Sequence, residues 1–189
     1  MDDLTTKLLV IFQNVNDWLK FAEAKNAVLF AFSATGLAAP ITLLATVPNL
    51  PNSLKVGLIT TASFLCICAL LCAWSFLPKT NLEKLIWLKA RPFQSLAPNP
   101  NDNLYYFGHL QKYNSGSLLS AISQNYLGNK FSPPYPKEAQ DLASQITINS
   151  AIAFRKYKLF TYSAYCLVAS ITALPFTILF SLIFFRGLA

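Results

Sequence analysis

Charged residues are scarce in this chain. They make up 12% of its 189 residues, well below the roughly 25% of a soluble domain, whereas hydrophobic residues make up 54%. Acidic residues are the scarcest, with 8 Asp and Glu against 15 Lys and Arg, so the formal net charge is +7. This composition excludes an ordinary soluble domain and predicts an integral membrane protein. The positive surplus favours anionic partners, which are either lipid head groups or an anionic ligand.

The groups that enzymes and metal sites require are also missing. The single histidine, His109, has no Cys or His companion in the polar part of the sequence. The acidic residues show no spacing suited to paired acid–base catalysis, and no phosphate-binding glycine run or nucleophile motif is present. All the cysteines lie within apolar runs, which excludes a disulfide framework and favours buried packing residues. We therefore expect no enzymatic activity, no metal and no cofactor. The cysteines are Cys66, Cys68, Cys72 and Cys166.

Three long segments contain no charged residue, namely about 26–47, 56–77 and 159–185. Each is long enough to cross the hydrocarbon core of a bilayer, which requires about 20 helical residues. The first is expected to kink at Pro40 and to end in the turn VPNLPNS, so that residues 26–78 form a transmembrane hairpin. The predicted fold is an all-α integral membrane protein with three transmembrane helices.

The first and third spans are expected to continue as helices outside the membrane. In residues 1–25 the apolar residues recur at spacings of three and four, which is typical of an amphipathic helix, and no breaker separates this helix from the first span. The alternative is a helix lying on the membrane surface. Residues 139–185 likewise contain no helix-breaking residue before Pro175, which predicts one long rod. The N-terminal stripe consists of Leu4, Leu8, Ile11, Val15, Trp18 and Ala22.

Residues 79–158 are the most basic part of the sequence and are expected to form a small α-rich module. A short helix is predicted in NLEKLIWLKARPF, and another in SGSLLSAISQNYL, capped by Ser115 or Ser117. Between them, Gly108 permits a backbone bend in an aromatic segment. The positive-inside rule places this module and the N-terminus in the cytoplasm, and residues after the third span, 159–185, on the opposite side.

The basic module is a candidate binding site for a nucleotide or an oligonucleotide. Its aromatic residues interleave with cations, a mixture that stacks on bases and neutralises phosphates. The alternative is that the aromatic residues form the core of a small domain while the lysines face water or lipid phosphate. The candidate ligand contacts are Lys84, Lys89, Arg91, Lys112, Arg155 and Lys156.

Small polar residues recur on one face of the third span, and they either pack helices together or line a conduit. Three helices cannot enclose a roomy pore alone, so a channel would require a homo-oligomer. The absence of charge within the spans disfavours an ion-coupled transporter. The candidate pore-lining residues are Ser163, Ser170, Thr177 and Ser181.

Three stretches resemble the transmembrane effector family of bacterial Pycsar-type antiphage systems. WLKFAEAKNAVLFAFSATGL (Trp18 to Leu37) resembles the first-helix signature of the family, and NLYYFGHLQKY (Asn103 to Tyr113) resembles its central phenylalanine-glycine segment. DLASQITINSAIAFRKYKLFTYSAY (Asp141 to Tyr165) resembles the closing helix, in which a Lys-Tyr pair precedes the last span. A related resemblance is to the Hailong membrane effector.

The resemblance implies a nucleotide-signal-controlled inner-membrane toxin that permeabilises or depolarises the membrane of an infected cell. Its signal would be a nucleotide second messenger from a partner cyclase or, as for the Hailong effector, a short DNA oligomer from a nucleotidyltransferase. The other expected partners are membrane lipid and further copies of the chain. No separate cyclic-nucleotide-binding domain is identifiable in the sequence. The alternative function is a non-conducting membrane anchor or scaffold that recruits a cytosolic partner.

Overall fold

The computed structural model describes residues 2–77 and 97–184, and within these ranges the only regular elements are helices. Three of the helical segments are long and apolar enough to cross a membrane. The all-α membrane fold expected from composition is therefore confirmed. The short helix predicted in NLEKLIWLKARPF lies outside the described residues. The helices are α1 (Asp2–Gly36), α2 (Ala38–Thr46), α3 (Asn52–Phe76), α4 (Phe107–Leu110), α5 (Ser115–Tyr126) and α6 (Lys137–Phe184).

The two long helices are continuous, as the absence of breakers predicted. α1 runs for 35 residues without interruption, and α6 runs for 48 residues with Pro175 in its interior. The first span breaks only between Gly36 and Ala38, close to Pro40, which has no backbone N–H to donate to the preceding turn. Each long helix therefore joins a polar segment to a span without a break in the helix.

The described residues form two compact units. Unit 1 comprises residues 2–22 and 97–157, and unit 2 comprises residues 23–77 and 158–184. The chain passes from one unit to the other inside α1, after Ala22, and inside α6, after Tyr157.

The core of unit 1 is built on the apolar stripe of α1. Leu4 is 2% exposed, and Leu8, Ile11 and Val15 are fully buried. Burying each of these side chains contributes about 1.5–3 kcal/mol. The stripe packs in a protein core, which a helix lying on a membrane surface would not provide. Its partners in the core are Leu104, Leu110, Tyr113, Leu118, Leu119, Ile122, Ala139, Ala143 and Ile146.

One expectation about unit 1 was wrong in detail. The N-cap of α5 is Asn114 rather than Ser115 or Ser117: its side-chain oxygen accepts from the Ser117 N–H at 2.7 Å, and the Ser117 hydroxyl accepts from the Asn114 N–H at 3.0 Å. Ser117 is thus the other half of a capping box. Trp18, which belongs to the apolar stripe of α1, is 37% exposed.

Unit 2 buries several small polar side chains and leaves many large apolar ones exposed. Asn26, Ser33 and Ser163 are fully buried, together with Cys68 and Cys72. Large apolar side chains on all three spans remain exposed, such as Phe32 at 62%, Leu70 at 64% and Ile183 at 72%. This is the arrangement expected of helices that pack through small residues in a solvent as apolar as their own side chains.

Helices α3 and α6 approach each other closely at Gly57. A Cβ atom there would overlap the Thr177 hydroxyl oxygen and lie 3.0 Å from Leu174 Cδ1. One turn further along α3, the Thr61 hydroxyl donates to the Ser170 carbonyl at 3.2 Å. The two contacts run in opposite directions along the helices, so α3 and α6 pack antiparallel. Glycine is required here for close approach.

Replacing Gly57 with alanine should therefore separate α3 from α6. We expect Gly57→Ala to lower the free energy of unfolding by about 1–3 kcal/mol, the usual cost of overpacking. Thermal unfolding of the detergent-purified protein, followed by circular dichroism, measures this loss. Gly36→Ala is the matched control, since its new Cβ would meet Leu65 at an ordinary 3.5 Å. Equal stability of the two variants would contradict the close packing.

Candidate functional site

The candidate ligand cations have different surroundings. Lys84, Lys89 and Arg91 lie outside the described residues. Arg155 and Lys156 are half-buried on α6, where they directly precede Tyr157, the last α6 residue of unit 1. Lys112 follows α4 and is already engaged with a carboxylate of the same unit.

Lys112 forms a largely buried ion pair with Asp102. Its ammonium nitrogen lies 2.8 Å from Asp102 Oδ1, and the two side chains are 14% and 4% exposed. The Asn99 N–H donates to the other carboxylate oxygen at 2.9 Å. Burial alone would raise the pKa of Asp102, but the hydrogen bonds from Lys112 and Asn99 and the charge of Lys112 outweigh it and lower that pKa. Lys112 therefore serves the loop before α4, which weakens its assignment as a ligand contact.

The hydroxyl of Tyr113 completes the same network. It lies 3.3 Å from both Asp102 Oδ2 and the Asn99 carbonyl oxygen. Burial and the neighbouring carboxylate raise the pKa of Tyr113 to about 12. The hydroxyl therefore stays protonated and acts as a hydrogen-bond donor at neutral pH.

His109 is held in one tautomer by the backbone. The Asn103 N–H donates to His109 Nδ1 at 2.9 Å, so Nδ1 is an acceptor and the ring proton lies on Nε2. Asp102 Oδ1 is 3.7 Å from the same nitrogen, too far for a hydrogen bond. The side chain of His109 is 36% exposed. His109 thus contributes the N–H at Nε2 as a hydrogen-bond donor.

Aromatic rings from three distant parts of the chain meet beside these groups. Trp18 of α1 lies with its ring centroid 5.6 Å from Phe107 and 6.1 Å from Tyr157 of α6. Phe107 and Tyr157 are stacked at 5.0 Å with planes inclined by 16°. Tyr106 adds a fourth ring, 4.8 Å from Phe107 and 5.2 Å from His109. We call Trp18, Tyr106, Phe107 and Tyr157 the aromatic cluster.

Gly108 leaves room for one ring of this cluster. It lies within α4, and a Cβ atom there would overlap the Tyr106 ring, lying 2.8 Å from its Cζ. The expected role of Gly108 in a backbone bend was therefore wrong. Its missing side chain leaves room for the ring of Tyr106.

Sequence reasoning treated the aromatic residues of the basic module as one group and did not bring Trp18 and Tyr157 together with them. A signal was nevertheless present, because each of the three stretches that resemble the effector family contains a member of the cluster. Trp18 opens the first stretch, Phe107 lies in the second and Tyr157 in the third. The structure brings these three rings together in unit 1.

The candidate pore-lining residues lie in unit 2 at different depths. Ser163 is fully buried and Ser170 is 2% exposed, and their hydroxyls donate to the carbonyls of Leu159 and Leu167 in their own helix. Thr177 and Ser181 are half-buried, and both line a cavity of about 650 Å³ with the start of α3. In a single copy of the chain, Ser163 and Ser170 are therefore covered by other residues of the same chain.

Within residues 2–77 and 97–184, no group of three or more His, Cys, Asp or Glu side chains is placed to hold a metal ion. The chemistry that unit 1 offers is hydrogen bonding, positive charge and aromatic stacking.

The ion pair of Asp102 makes a testable contribution to stability. Its pKa is lower in the folded protein than in the unfolded chain, so the stabilisation is present above the unfolded value of 3.8 and is lost as pH falls through the folded value. We expect Lys112→Met to destabilise unit 1 by about 1–3 kcal/mol at neutral pH, because a buried carboxylate loses its partner. Acidification should then destabilise the variant less than the native protein, since protonation relieves the unpaired charge.

Thermal unfolding between pH 7 and pH 3 measures both effects. Lys137→Met is the matched control, because it breaks the Lys137–Asp141 pair, whose side chains are 82% and 61% exposed. An exposed pair contributes less than about 0.5 kcal/mol, so this variant should melt like the native protein. Equal losses in the two variants would show that the Asp102 pair is not a stabilising contact.

Comparison with known proteins agrees with the resemblance of the three stretches. The family model of the Pycsar effector protein domain, PycTM, matches residues 7–184. The Pycsar effector protein RsPycTM of a Rhizobium species is 30% identical over 150 residues, which are 78% of this chain and 78% of that protein. No solved structure matches the chain. The match spans both units and all three candidate membrane helices, and the chain therefore belongs to the Pycsar transmembrane effector family, a family of membrane effectors of antiphage defence.

Proposed function

We propose that this chain is a nucleotide-signal-controlled effector of the bacterial inner membrane, which oligomerises and depolarises the cell when activated. The observation that carries the proposal is the meeting of the three family-like stretches in the aromatic cluster of unit 1. Two of these stretches belong to α1 and α6, the helices that continue into membrane spans. A signal bound at the cluster therefore acts on the elements that enter the membrane.

The proposed orientation follows the distribution of basic residues. Unit 1 and the N-terminus face the cytoplasm, where the nucleotide signal is made, and the C-terminus faces the periplasm. Of the 15 Lys and Arg residues only Lys55 and Arg186 belong to the segments assigned to the periplasmic side. Three spans place the two ends of the chain on opposite sides of the membrane.

The proposed signal is an anionic nucleotide made by a partner enzyme. RsPycTM is described as a Pycsar effector, and a cyclase-made cyclic nucleotide is the corresponding signal for this chain. A short DNA oligomer from a nucleotidyltransferase is the second candidate, because neutralisation of phosphates strengthens with the number of cationic contacts. Arg155 and Lys156 are the described cations that support either ligand. Lys84, Lys89 and Arg91 remain proposals from the sequence.

The ligand acts by changing the balance between a resting and an active arrangement of α1 and α6. A ligand shifts such a balance only if it binds the two arrangements with different affinity. Arg155 and Lys156 are among the last α6 residues that belong to unit 1. Trp18 lies four residues before Ala22, the last α1 residue that belongs to unit 1. If α1 and α6 move between the resting and the active arrangement, the ligand contacts at these positions differ between the two arrangements.

Conduction requires several copies of the chain. The protomer covers Ser163 and Ser170, so a conduit lined by the polar stripe of α6 needs a rearrangement of the spans. Exposed apolar residues of α6, such as Val168 at 59% and Ile171 at 60%, provide surface for lipid and for further copies. We propose a homo-oligomer in which Thr177 and Ser181 line the wider end of the path.

The second candidate function is a non-conducting membrane scaffold. It is favoured by the burial of Ser163 and Ser170, which the packing of one protomer explains without a conduit. A scaffold recruits a cytosolic protein through unit 1 and leaves the membrane potential unchanged.

Charge reversal at the proposed phosphate contacts tests the effector function. We expect Arg155→Glu and Lys156→Glu each to weaken nucleotide binding at least roughly tenfold, since each removes one charge-assisted hydrogen bond. The membrane potential of cells that express each variant, followed with a voltage-sensitive dye, should no longer respond to the signal. Lys137→Glu is the control, because Lys137 is 82% exposed at the other end of α6 and should behave like the native chain.

Unaltered potential in cells that express the native chain, with and without its signal, would instead support the scaffold.

Cysteine accessibility tests the path through the membrane. In a chain whose four native cysteines are replaced, we expect Ser181→Cys to react with a charged thiol reagent and to lose conductance in liposomes. Ser163→Cys and Ser170→Cys should react only in the activated protein, because both positions are covered at rest. Val168→Cys, 59% exposed on the same helix, is the control for the lipid-facing side. Modification of Ser181→Cys without any effect on ion flux would remove this residue from the path.

A further inference from the structure

Two rings of the aromatic cluster are open to a ligand, whereas the other two support them. Trp18 is 37% exposed and Tyr106 is 41% exposed, while Phe107 is only 5% exposed. The hydroxyl of Tyr157 is buried, and its ring stacks on Phe107. A cluster that served only as a core would bury all four rings. This cluster instead presents two exposed rings, Trp18 and Tyr106, which are supported by the packed rings of Phe107 and Tyr157.

The open rings are fixed before any ligand arrives. The ring of Tyr106 lies in the space that Gly108 leaves beside it. Tyr106 and His109 make an edge-to-face contact, with an angle of 87° between their ring planes. His109 is itself held by the Asn103 N–H. A surface ordered in this way loses little side-chain entropy when it binds a flat ligand, and so retains more of the stacking energy.

Polar groups of two kinds accompany the two exposed rings, namely an imidazole that contacts Tyr106 and two cations that are adjacent to Tyr157 in sequence. His109 offers the N–H at Nε2, which suits the acceptor atoms of a nucleobase. Arg155 and Lys156 directly precede Tyr157 on α6 and carry the charge that a phosphate requires. Stacking on aromatic rings combined with nearby cations is the usual way in which proteins bind unpaired nucleotides.

We propose that Trp18 and Tyr106 form the stacking platform for the base of the nucleotide signal, with His109 Nε2 donating to the base. The inference rests on the proposed function and specifies its ligand site. The competing use of such rings is as anchors at the membrane surface, where Trp and Tyr are enriched. A membrane anchor has no need of a glycine that makes room for one ring or of an imidazole held in a single tautomer, so these two features favour the nucleobase.

Trp18 can report binding directly. In full-length protein carrying Trp74→Phe and Trp87→Phe, Trp18 is the single tryptophan. The protein in nanodiscs is titrated with the 3′,5′-cyclic monophosphates of adenosine, cytidine, guanosine and uridine and with the trimers of each deoxynucleotide. We expect at least one of these probes to quench the fluorescence of Trp18. Affinity is measured in parallel by equilibrium dialysis.

Variants of Tyr106 then separate stacking from other contacts. Tyr106→Leu should weaken the binding of that probe roughly tenfold, which corresponds to the loss of one base–ring contact, while Tyr106→Phe should keep its affinity. Gly108→Ala should also weaken binding, because it displaces the ring without removing it. Tyr126→Leu is the matched control, since Tyr126 is 38% exposed in the same unit and contacts Tyr105 instead of the cluster.

Three results would overturn the platform. A probe that binds and depolarises cells without quenching Trp18, and with the same affinity for Tyr106→Leu, refutes the platform but leaves the proposed function standing. Quenching of Trp18 by brominated phosphatidylcholine and phosphatidylglycerol in the nanodisc, with no response to any nucleotide that binds, identifies the rings as a membrane anchor. If no probe binds and none changes the membrane potential, the platform and the proposed nucleotide control fail together.

Discussion

The packing of the first half of α1 against the first half of α6 is the contact on which unit 1 depends. Leu8 and Ile11 of α1 share a buried core with Ala143 and Ile146 of α6, and the Asn149 side-chain amide donates to Asn16 Oδ1 at 2.9 Å. The other helices of the unit, α4 and α5, have 4 and 12 residues, lengths that are marginal for an isolated helix. They are stable because the two long helices give them an apolar surface to cover.

The same two helices obey opposite packing rules along their length. In unit 1, large apolar side chains such as Leu8 form the buried core, because water is the competing solvent. In unit 2, small polar residues such as Ser33 and Ser163 are buried and large apolar ones are exposed. Lipid gives apolar side chains no reason to turn inwards, so close approach of small residues and hydrogen bonds hold the spans together. The reversal occurs within α1 and α6 without a break in either helix.

The features that the sequence predicted are those that depend on composition and helical period. The continuity of α1 and α6 and the three apolar spans follow from runs of residues without breakers or charges. The N-cap of α5 could not be chosen in this way, since Asn114, Ser115 and Ser117 are all good capping residues and the backbone angles of Asn114 decide between them.

Partners separated by loops were harder still to predict. Lys112 looked like a free cation because its carboxylate partner, Asp102, lies in a loop whose path no periodicity reveals. The contact of Trp18 with Phe107 depends on how two distant segments meet, and spacing along the chain carries no information about it. Of the candidate site, the sequence therefore indicated the kinds of residue that are present but not which of them come together.

In the proposed function, the position of the aromatic cluster matters more for control than the strength with which the cluster would bind a nucleotide. Reversing a balance of 1:99 between two states requires about 5.5 kcal/mol of difference in binding energy. One stacked base contributes about 1–3 kcal/mol and a hydrogen bond to a charged group about 1.5–3 kcal/mol, so almost every contact must be lost in one of the two states. A site on a single helix would keep its contacts in both states and shift nothing. The cluster takes Trp18 from α1, Tyr106 from the segment before α4 and Tyr157 from α6. Any change in the separation of the two long helices within unit 1 therefore alters the site itself. In the proposed homo-oligomer, the contributions of the protomers add.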